Sequence, residues 1–556
     1  MVTPLNGSKI AYCSMEIGVR NDIPTYSGGL GVLAGDVIRS SADLQVPMVA
    51  ITLVSRKGYL RQKLSDSGEQ TELPDQWNPE KILDLAPEVV EVRIENRPVK
   101  VRAWIYEHKS SIGGIVPILF LDTDVESNTD SDRKITDSLY GGDDRYRLKQ
   151  EVVLGIGGTR MLEALEYSIS KYHMNEGHSA LLTLELLRRY GLDIENVRRH
   201  CIFTTHTPVD AAFDRFPHEM VDQVLGREFT TEIMKELGGE EKVNMTLLAL
   251  NLSGFHNGVT KQHTKYSMKI FPHYAIKAIT NGVHSATWTS PSFHKLFDKY
   301  IPGWASEPEL LVRIDNAPAC DISDAHAASK ASLMELVEQK TGVKMDPAAL
   351  TIGFARRATG YKRMTLIFSD MKSILHINKK YPLQFVFAGK AHPKDTTGKE
   401  AIKEVFLRQH ELKDEMKIAY VEDYDMDIAA KLTSGVDVWL NTPYPPMEAS
   451  GTSGMKAAHN GVVNFSVLDG WWIEGCIEGV TGWSIGPQPE NSFSEDERRA
   501  LELEDLINKL RYVIAPMFYE DRDAWVGMMR NSIGKVAYYF NTHRMMHRYI
   551  TDAYLV

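Results

Sequence analysis

The sequence predicts an α/β protein built from two doubly wound, Rossmann-like domains facing a central cleft, and three observations predict it. Short β-rich apolar runs bounded by turn residues recur from end to end, at 46–54, 116–121, 200–206, 350–357, 383–390, 416–423, 436–443 and 462–470. Helical patterns at 151–166, 180–190 and 402–412 lie between several of them. Such alternation builds βαβ units and parallel sheets. The third observation is length: 556 residues exceed what one hydrophobic core organises, so two domains are expected.

The alternation breaks between Trp288 and Asp324, where TSPSFHKLF and a Pro-, Trp- and acid-containing stretch intervene before a helical run at 325–340. The expected division is therefore an N-terminal domain at 1–290 and a C-terminal domain at 291–530. The last segment, 531–556, reads as a helix returning to the first domain. Neither an internal repeat nor a low-complexity tract interrupts this plan.

Composition narrows the function classes. With 43% hydrophobic and 25% charged residues the chain reads as soluble and globular. A formal charge of −11 and a pI near 5.9 argue against a nucleic-acid binder, so any anion site has to be built locally. Four dispersed cysteines, Cys13, Cys201, Cys320 and Cys476, form no CxxC pair and fit a reducing compartment. The opening MVTPLNGSKIAYCSM has no long apolar core behind a basic region, and no apolar run approaches membrane-spanning length. The expected location is cytoplasmic, without a membrane or nucleic-acid partner.

Chemistry-bearing residues cluster just after the strand-like runs: THTPVD, RRATGYKR, GKAHPKD and NTPYPPMEASG. In open α/β sheets ligands bind outside the carboxyl ends of the strands. The stretch EASGTSGMKAAHNG, 448–461, places Ser450, Gly451, Thr452, Ser453 and Gly454 ahead of a single lysine, Lys456. Small residues at a helix start let backbone N–H groups approach an anion closely. Lys456 belongs to whatever anion occupies that cup.

In TYSGGLGVLAGD, 25–36, the glycines fit a GxGxxA pattern, but the preceding strand ends too early and no acidic residue closes a second strand at the expected distance, which argues against a nicotinamide cofactor. Gly28 and Gly29 suit a phosphate or sugar approached by backbone N–H groups; simple helix capping is the plainer alternative. FARRATGYKR concentrates Arg356, Arg357, Lys362 and Arg363 at one strand end, suiting phosphate; a solvated basic face is the alternative. His173 and His178 lack HExxH spacing, and no third ligand stands at metal spacing, so no metal is expected. His206 either contacts a sugar hydroxyl or satisfies its own loop. There is no Walker A loop and no GxSxG elbow.

Taken together, YSGGLGVLAGD, DRYRLKQEVVLGIGG, HMNEGHSAL, THTP, TNGVHSATW, RRATGYKR, FAGKAHP, EDYDMDIAAKL and EASGTSGMKAAHNGVVNFSVLDGWW stand in the order found in the α-glucan (glycogen, maltodextrin) phosphorylases, and the chain resembles the shorter bacterial and archaeal branch of that family over roughly 10–474. The resemblance implies a GT-B-type glycosyltransferase fold and a pyridoxal 5′-phosphate cofactor tethered as a Schiff base on Lys456. By the same carry-over Arg356, Gly451, Thr452 and Ser453 hold the cofactor phosphate. Arg357 and Lys362 hold the substrate phosphate, and Glu448 a glucose hydroxyl. Gly28 and Gly29 face the phosphates, and His206 the sugar. Lys456, Arg357, Lys362, Glu448 and His206 are thus the expected catalytic set. The loop reads GTSGMK where the animal and plant enzymes have GTGNMK, and the resemblance fades after about Gly475. Family members commonly carry further segments at both ends, so their regulatory sites and dimer contacts are not carried over.

The implied activity is reversible phosphorolysis of an α-1,4-glucan, glycogen or maltodextrin, by inorganic phosphate to α-glucose 1-phosphate, with retention. Two phosphates in contact carry nearly four negative charges against three cations, so repulsion keeps a shared proton between them, available to the departing glycosidic oxygen. The other readings are a nucleotide-sugar-dependent glucan glycosyltransferase of the same fold and a non-catalytic glucan-binding protein. A homo-oligomer is compatible with each. Lys456 discriminates, since neither alternative needs a cofactor lysine.

Overall fold

The computed structural model describes residues 9–226, 229 and 231–556, so the first part of the amino-terminal stretch read above lies outside the described residues. The structure is α/β, with parallel sheets and many helices. It divides into two compact units. The first comprises 1–60, 74–279 and 546–556, and the second 61–73 and 280–545.

The first unit is organised on a nine-stranded sheet in the order Lys277–Ala278, Phe255–Gly258, Cys201–Thr204, Lys171–Asn175, Ile10–Ser14, Met48–Leu53, Ile115–Asp122, Arg97–Lys109 and Asp84–Ile94. Its first seven strands pair in parallel and the last two add antiparallel. Burial explains the difference. Ile10–Ser14 and Met48–Leu53 are covered at every position, as strands with helices on both faces are, whereas Asp84–Ile94 alternates with exposed residues. The hairpin Asp84–Lys109, which the apolar pattern does not mark, turns through Glu95 and Asn96, both left-handed (φ 53° and 61°), the geometry of a tight two-residue hairpin turn.

The second unit carries a six-stranded, wholly parallel sheet in the order Lys417–Val421, Leu383–Ala388, Leu350–Ala355, Val438–Asn441, Val463–Val467 and Gly482–Ile485. Leu350–Ala355 and Leu383–Ala388 are buried throughout, and Trp439 lies within the core. The strand sequence runs outward in opposite directions from the pair Leu350–Ala355 and Val438–Asn441. The connections leaving these two strands consequently diverge, opening a crevice at their carboxyl ends. In the first unit the same reversal falls between Ile10–Ser14 and Lys171–Asn175.

The helix Gly29–Asp43 packs so tightly that a Cβ at Gly35 would stand 1.9 Å from the carbonyl oxygen of Gly18, while a Cβ at Gly29 would meet nothing within 4 Å. Gly35→Ala is therefore expected to cost about 1–3 kcal/mol through forced backbone displacement. Gly29→Ala is expected to change stability by less than about 0.5 kcal/mol. Urea unfolding followed by tryptophan fluorescence distinguishes them, and equal midpoints for the two variants would contradict this packing.

Candidate active site

At the crevice of the second unit the strand Leu350–Ala355 ends in Arg356 and Arg357, and a short turn at Gly360–Lys362 follows. The neighbouring strand Val438–Asn441 ends in the segment leading to Glu448. The two strand ends meet through charge: Glu448 ion-pairs with the Arg356 guanidinium, and its Oε2 lies 3.1 Å from the Lys362 ammonium. Arg356 also donates from Nη1 to Asn441 Oδ1 at 3.2 Å. Its Nε is buried without a hydrogen-bond partner among the described residues, a donor aimed at nothing the protein supplies.

Burial opposes ionisation of Glu448, but the attraction of Arg356 and Lys362 outweighs it and holds the carboxyl well below the usual range. Burial and the Arg356 charge push the Lys362 ammonium down, against the pull of Glu448. Arg357, by contrast, is exposed and forms no ion pair among the described residues. Arg363 braces the turn. In left-handed conformation (φ 46°), it donates to the carbonyls of Thr442 at 2.9 Å and Pro443 at 2.8 Å and pairs with the buried Glu502 at 2.5 Å.

Beyond Glu448 the chain passes through Gly451, left-handed at φ 72°, to the six-residue helix Ser453–Ala458 that carries Lys456. The Thr452 side chain does not cap this helix, and the Ser453 hydroxyl accepts the Trp439 indole N–H at 3.0 Å. Gly454 is required by packing, because a Cβ there would lie 2.2 Å from Asn464 Oδ1. Lys456 is buried, its ammonium 3.8 Å from the centre of the Trp288 ring, a cation–π contact. The structure thus brings Arg356, Lys362 and Glu448 into direct contact, with Gly451, Thr452, Ser453 and Lys456 following Glu448 on the same connection.

Arg356, whose buried Nε has no acceptor among the described residues, and the buried Lys456 are of the residue types that suit a phosphate-bearing cofactor tethered through an amine.

The remaining sequence candidates belong to the first unit. Gly28 precedes the helix Gly29–Asp43, and its N–H, with that of Ser27, donates to Glu16 Oε2 at 3.2 and 2.6 Å. Tyr140 donates its hydroxyl to the other Glu16 oxygen at 3.0 Å. Gly29 is exposed. His206 follows Cys201–Thr204; its Nε2–H donates to Asn175 Oδ1 at 2.6 Å, and its backbone N–H to Glu176 Oε2 at 2.7 Å. Burial and the imidazoles of His263, His173 and His178 push His206 down to about 3, so it stays neutral. His173 bonds to Tyr554 and Thr204, each at 2.8 Å; it completes a polar network within the unit.

Three acidic residues that the motifs above do not single out also stand at these strand ends. Asp469 follows Val463–Val467 and accepts from the backbone N–H of Glu448 and of Gly470, each at 2.9 Å. Glu16 follows Ile10–Ser14, and Glu176, left-handed at φ 74°, follows Lys171–Asn175. A discernible signal existed for each: an acidic residue within two positions of a strand's carboxyl end, in SME, NEG and LDG.

Burial, reinforced by the nearby Glu448 charge, raises the Asp469 carboxyl from its ordinary 3.8 to about 8, despite the two N–H groups and Arg356 that favour its ionised form. Between those values the folded chain keeps a proton that the unfolded chain has released. The stability this group contributes is complete below about 3.8 and is lost as the pH climbs to about 8. Asp469→Asn is expected to flatten that decline in unfolding midpoint across the same window. Thermal unfolding at a series of pH values checks it, and a slope unchanged from the parent's would mean that Asp469 is ionised in the fold.

Residues 230–480 match the family described as Phosphorylase, carbohydrate phosphorylase. The chain is 39% identical to the maltodextrin phosphorylase of Thermococcus litoralis, the alignment covering 98% of this chain and 70% of that protein. It is 36% identical to the glycogen phosphorylase of Mycobacterium tuberculosis, over 98% and 70%. Against the glycogen phosphorylase of Aquifex aeolicus it is 33% identical, over 98% of this chain and 86% of that protein. At that identity over nearly the whole chain and more than two thirds of each relative, the chain belongs to the carbohydrate phosphorylase family.

Proposed function

We propose that the protein catalyses reversible phosphorolysis of an α-1,4-glucan, glycogen or maltodextrin, to α-glucose 1-phosphate, with pyridoxal 5′-phosphate bound at Lys456. On this reading each sheet is the core of one doubly wound, Rossmann-like domain of a GT-B-type glycosyltransferase. The observation that carries the reading is the Arg356–Glu448–Lys362 cluster, largely shielded from solvent, followed on the connection after Glu448 by the buried Lys456. Protein interiors accept such a concentration of cations only when anions complete it.

Arg356, with its free Nε, and the Gly451–Ser453 segment would hold the cofactor phosphate. When bound, the cofactor supplies a second phosphate whose acid/base capacity supports the one that reacts. Arg357, exposed and unpaired, and Lys362 would cradle inorganic phosphate. Glu448 would accept a hydrogen bond from a sugar hydroxyl while keeping Lys362 charged.

The inorganic phosphate gives its proton to the glycosidic oxygen as the C1–O bond breaks. The shortened glucan leaves with a free 4-hydroxyl, and a phosphate oxygen bonds to C1 on the same face, so the α configuration is retained. Arg357 and Lys362 stabilise the attacking phosphate as the sugar acquires oxocarbenium character. By the resemblance, Gly28 and Gly29 would serve the phosphates and His206 the sugar. Neutral His206, whose Nε2–H is already committed to Asn175, would present Nδ1 as an acceptor for a hydroxyl.

The deciding assay is phosphate-dependent release of glucose 1-phosphate from maltooligosaccharides of graded length, with cofactor absorbance read on the same sample. Lys456→Ala is expected to abolish turnover and remove the chromophore together; turnover in a colourless variant would refute the reading. Arg357→Ala is expected to lower kcat/KM for phosphate on the order of 10²–10³-fold while leaving the chromophore in place. Steady-state kinetics with phosphate as the varied substrate measure this, and an unchanged kcat/KM would remove Arg357 from the phosphate site.

A further inference from the structure

At the amino-terminal edge of the six-stranded sheet, the end opposite Arg356 and Asn441, a second polar cluster lies beneath the long helix Ala319–Thr341. Asp437, just before Val438–Asn441, is 2% exposed and accepts three hydrogen bonds. These come from His326 Nε2 at 3.0 Å, Lys330 Nζ at 2.6 Å and the Thr351 backbone N–H at 2.8 Å. Lys330 also donates to the Ala349 carbonyl at 2.7 Å. The carboxylate is thereby satisfied and the lysine neutralised by it, while the tautomer of His326 is set: Nε2 carries the proton given to Asp437.

His326 Nδ1 is the atom left over. The residue is 3% exposed, and Nδ1 is buried with no hydrogen-bond partner among the described residues. It borders a cavity of about 320 Å³ walled by Ala327, Pro347, Ala348 and Phe518, with Arg522 at its margin. That volume lies at the lower end of the range that small-molecule sites occupy, about 300–1,000 Å³. Arg522 is exposed and pairs with no carboxylate among the described residues; its guanidinium stands 5.8 Å from the centre of the Phe518 ring. Tyr519, also on the wall, already donates to the Pro382 carbonyl and accepts from the Leu350 N–H.

The charge balance selects the ligand. Lys330 and Asp437 cancel, so the lining has the unmatched positive charge of Arg522 and an imidazole that becomes a second donor on protonation. An oxyanion between them would accept the guanidinium fork on one side and Nδ1–H on the other, leaving the imidazolium bonded to Asp437 through Nε2. Several oxygens on one centre meet both donors at once.

We propose that this cavity binds a phosphoryl group, as free phosphate or as a small phosphate ester, through Arg522 and His326. The site lies at the opposite end of the sheet from the catalytic cluster, and the inference does not depend on the proposed reaction.

Crystals of the full chain soaked in tungstate, a phosphate mimic with a strong anomalous signal, test it directly. A peak within hydrogen-bonding distance of Arg522 and His326 Nδ1 is expected. It should be lost in Arg522→Ala, an exposed position whose replacement leaves the fold intact. His326→Gln retains an N–H for Asp437 while removing Nδ1, and is expected to weaken tungstate binding there at least ten-fold with an unfolding midpoint close to the parent's.

Back-soaking separates the sources: displacement by inorganic phosphate alone assigns the free anion, and displacement also by glucose 1-phosphate assigns the ester. No peak at this cavity, or one that survives in Arg522→Ala, overturns the proposal.

Discussion

The second unit depends on one electrostatic constraint: positive charge gathered at two strand ends, away from bulk water, has to be matched by anions. Arg356 and Lys362 share one carboxylate, Glu448, and all three side chains are largely shielded from solvent. Removing one partner from such a group costs about 3–5 kcal/mol, because the others stay buried and uncompensated. The local backbone follows from that need. Gly451 and Arg363 take left-handed conformations that redirect the chain, Arg363 ties the cation turn to the Thr442–Pro443 carbonyls, and Asp469 holds the Glu448 backbone from below. Even so the balance is incomplete among the described residues, with Arg357 in no ion pair and one Arg356 donor unused, which is the residual attraction an anionic ligand would meet.

The first unit solves a similar problem with the signs reversed. Its strand-end turns present backbone N–H groups, and carboxylates supply the acceptors: Glu16 for Ser27 and Gly28, and Glu176 for Gly177 and His206. A glycine turn is often taken as an anion site because its donors are unsatisfied. Here the Gly28 donor already has an anion, built into the chain. An external phosphate using that N–H would have to compete with Glu16 or move it, a feature that the glycine pattern alone could not reveal.

How much is legible in the sequence depends on whether the signal is local. The buried parallel strands are legible because burial on both faces demands uninterrupted apolar runs: 350–357 and 383–390 in the sequence correspond to Leu350–Ala355 and Leu383–Ala388 in the structure. The hairpin Asp84–Lys109 escapes because Asp84–Ile94 has much of its surface in water, and its turn uses Glu95–Asn96, not a glycine pair. Arg356, Lys362 and Glu448 are legible as residues, since cations beside a strand end are conspicuous. Their mutual pairing is not, because it depends on which strands become neighbours, and Arg356 and Glu448 stand 92 positions apart. Asp469 is hidden for the same reason: only the adjacency of Val438–Asn441 and Val463–Val467 brings it under Glu448.

The glycines show how structure separates packing from chemistry where sequence cannot. In SGGLGVLAGD all four look alike, yet a Cβ at Gly31 would lie 2.6 Å from Glu16 Oε2 and one at Gly35 1.9 Å from a carbonyl, so the fold itself excludes larger residues there. Gly28 and Gly29 face no such obstacle, and Gly28, at φ −171°, has a backbone any residue can adopt. Neither steric crowding nor backbone strain accounts for glycine at those two positions. What remains is the advantage that a bare main chain offers to something approaching it: no side chain stands between the amide and its partner. Glu16, whose carboxylate reaches the Ser27 and Gly28 amides, shows that this surface of the turn is accessible to an anion.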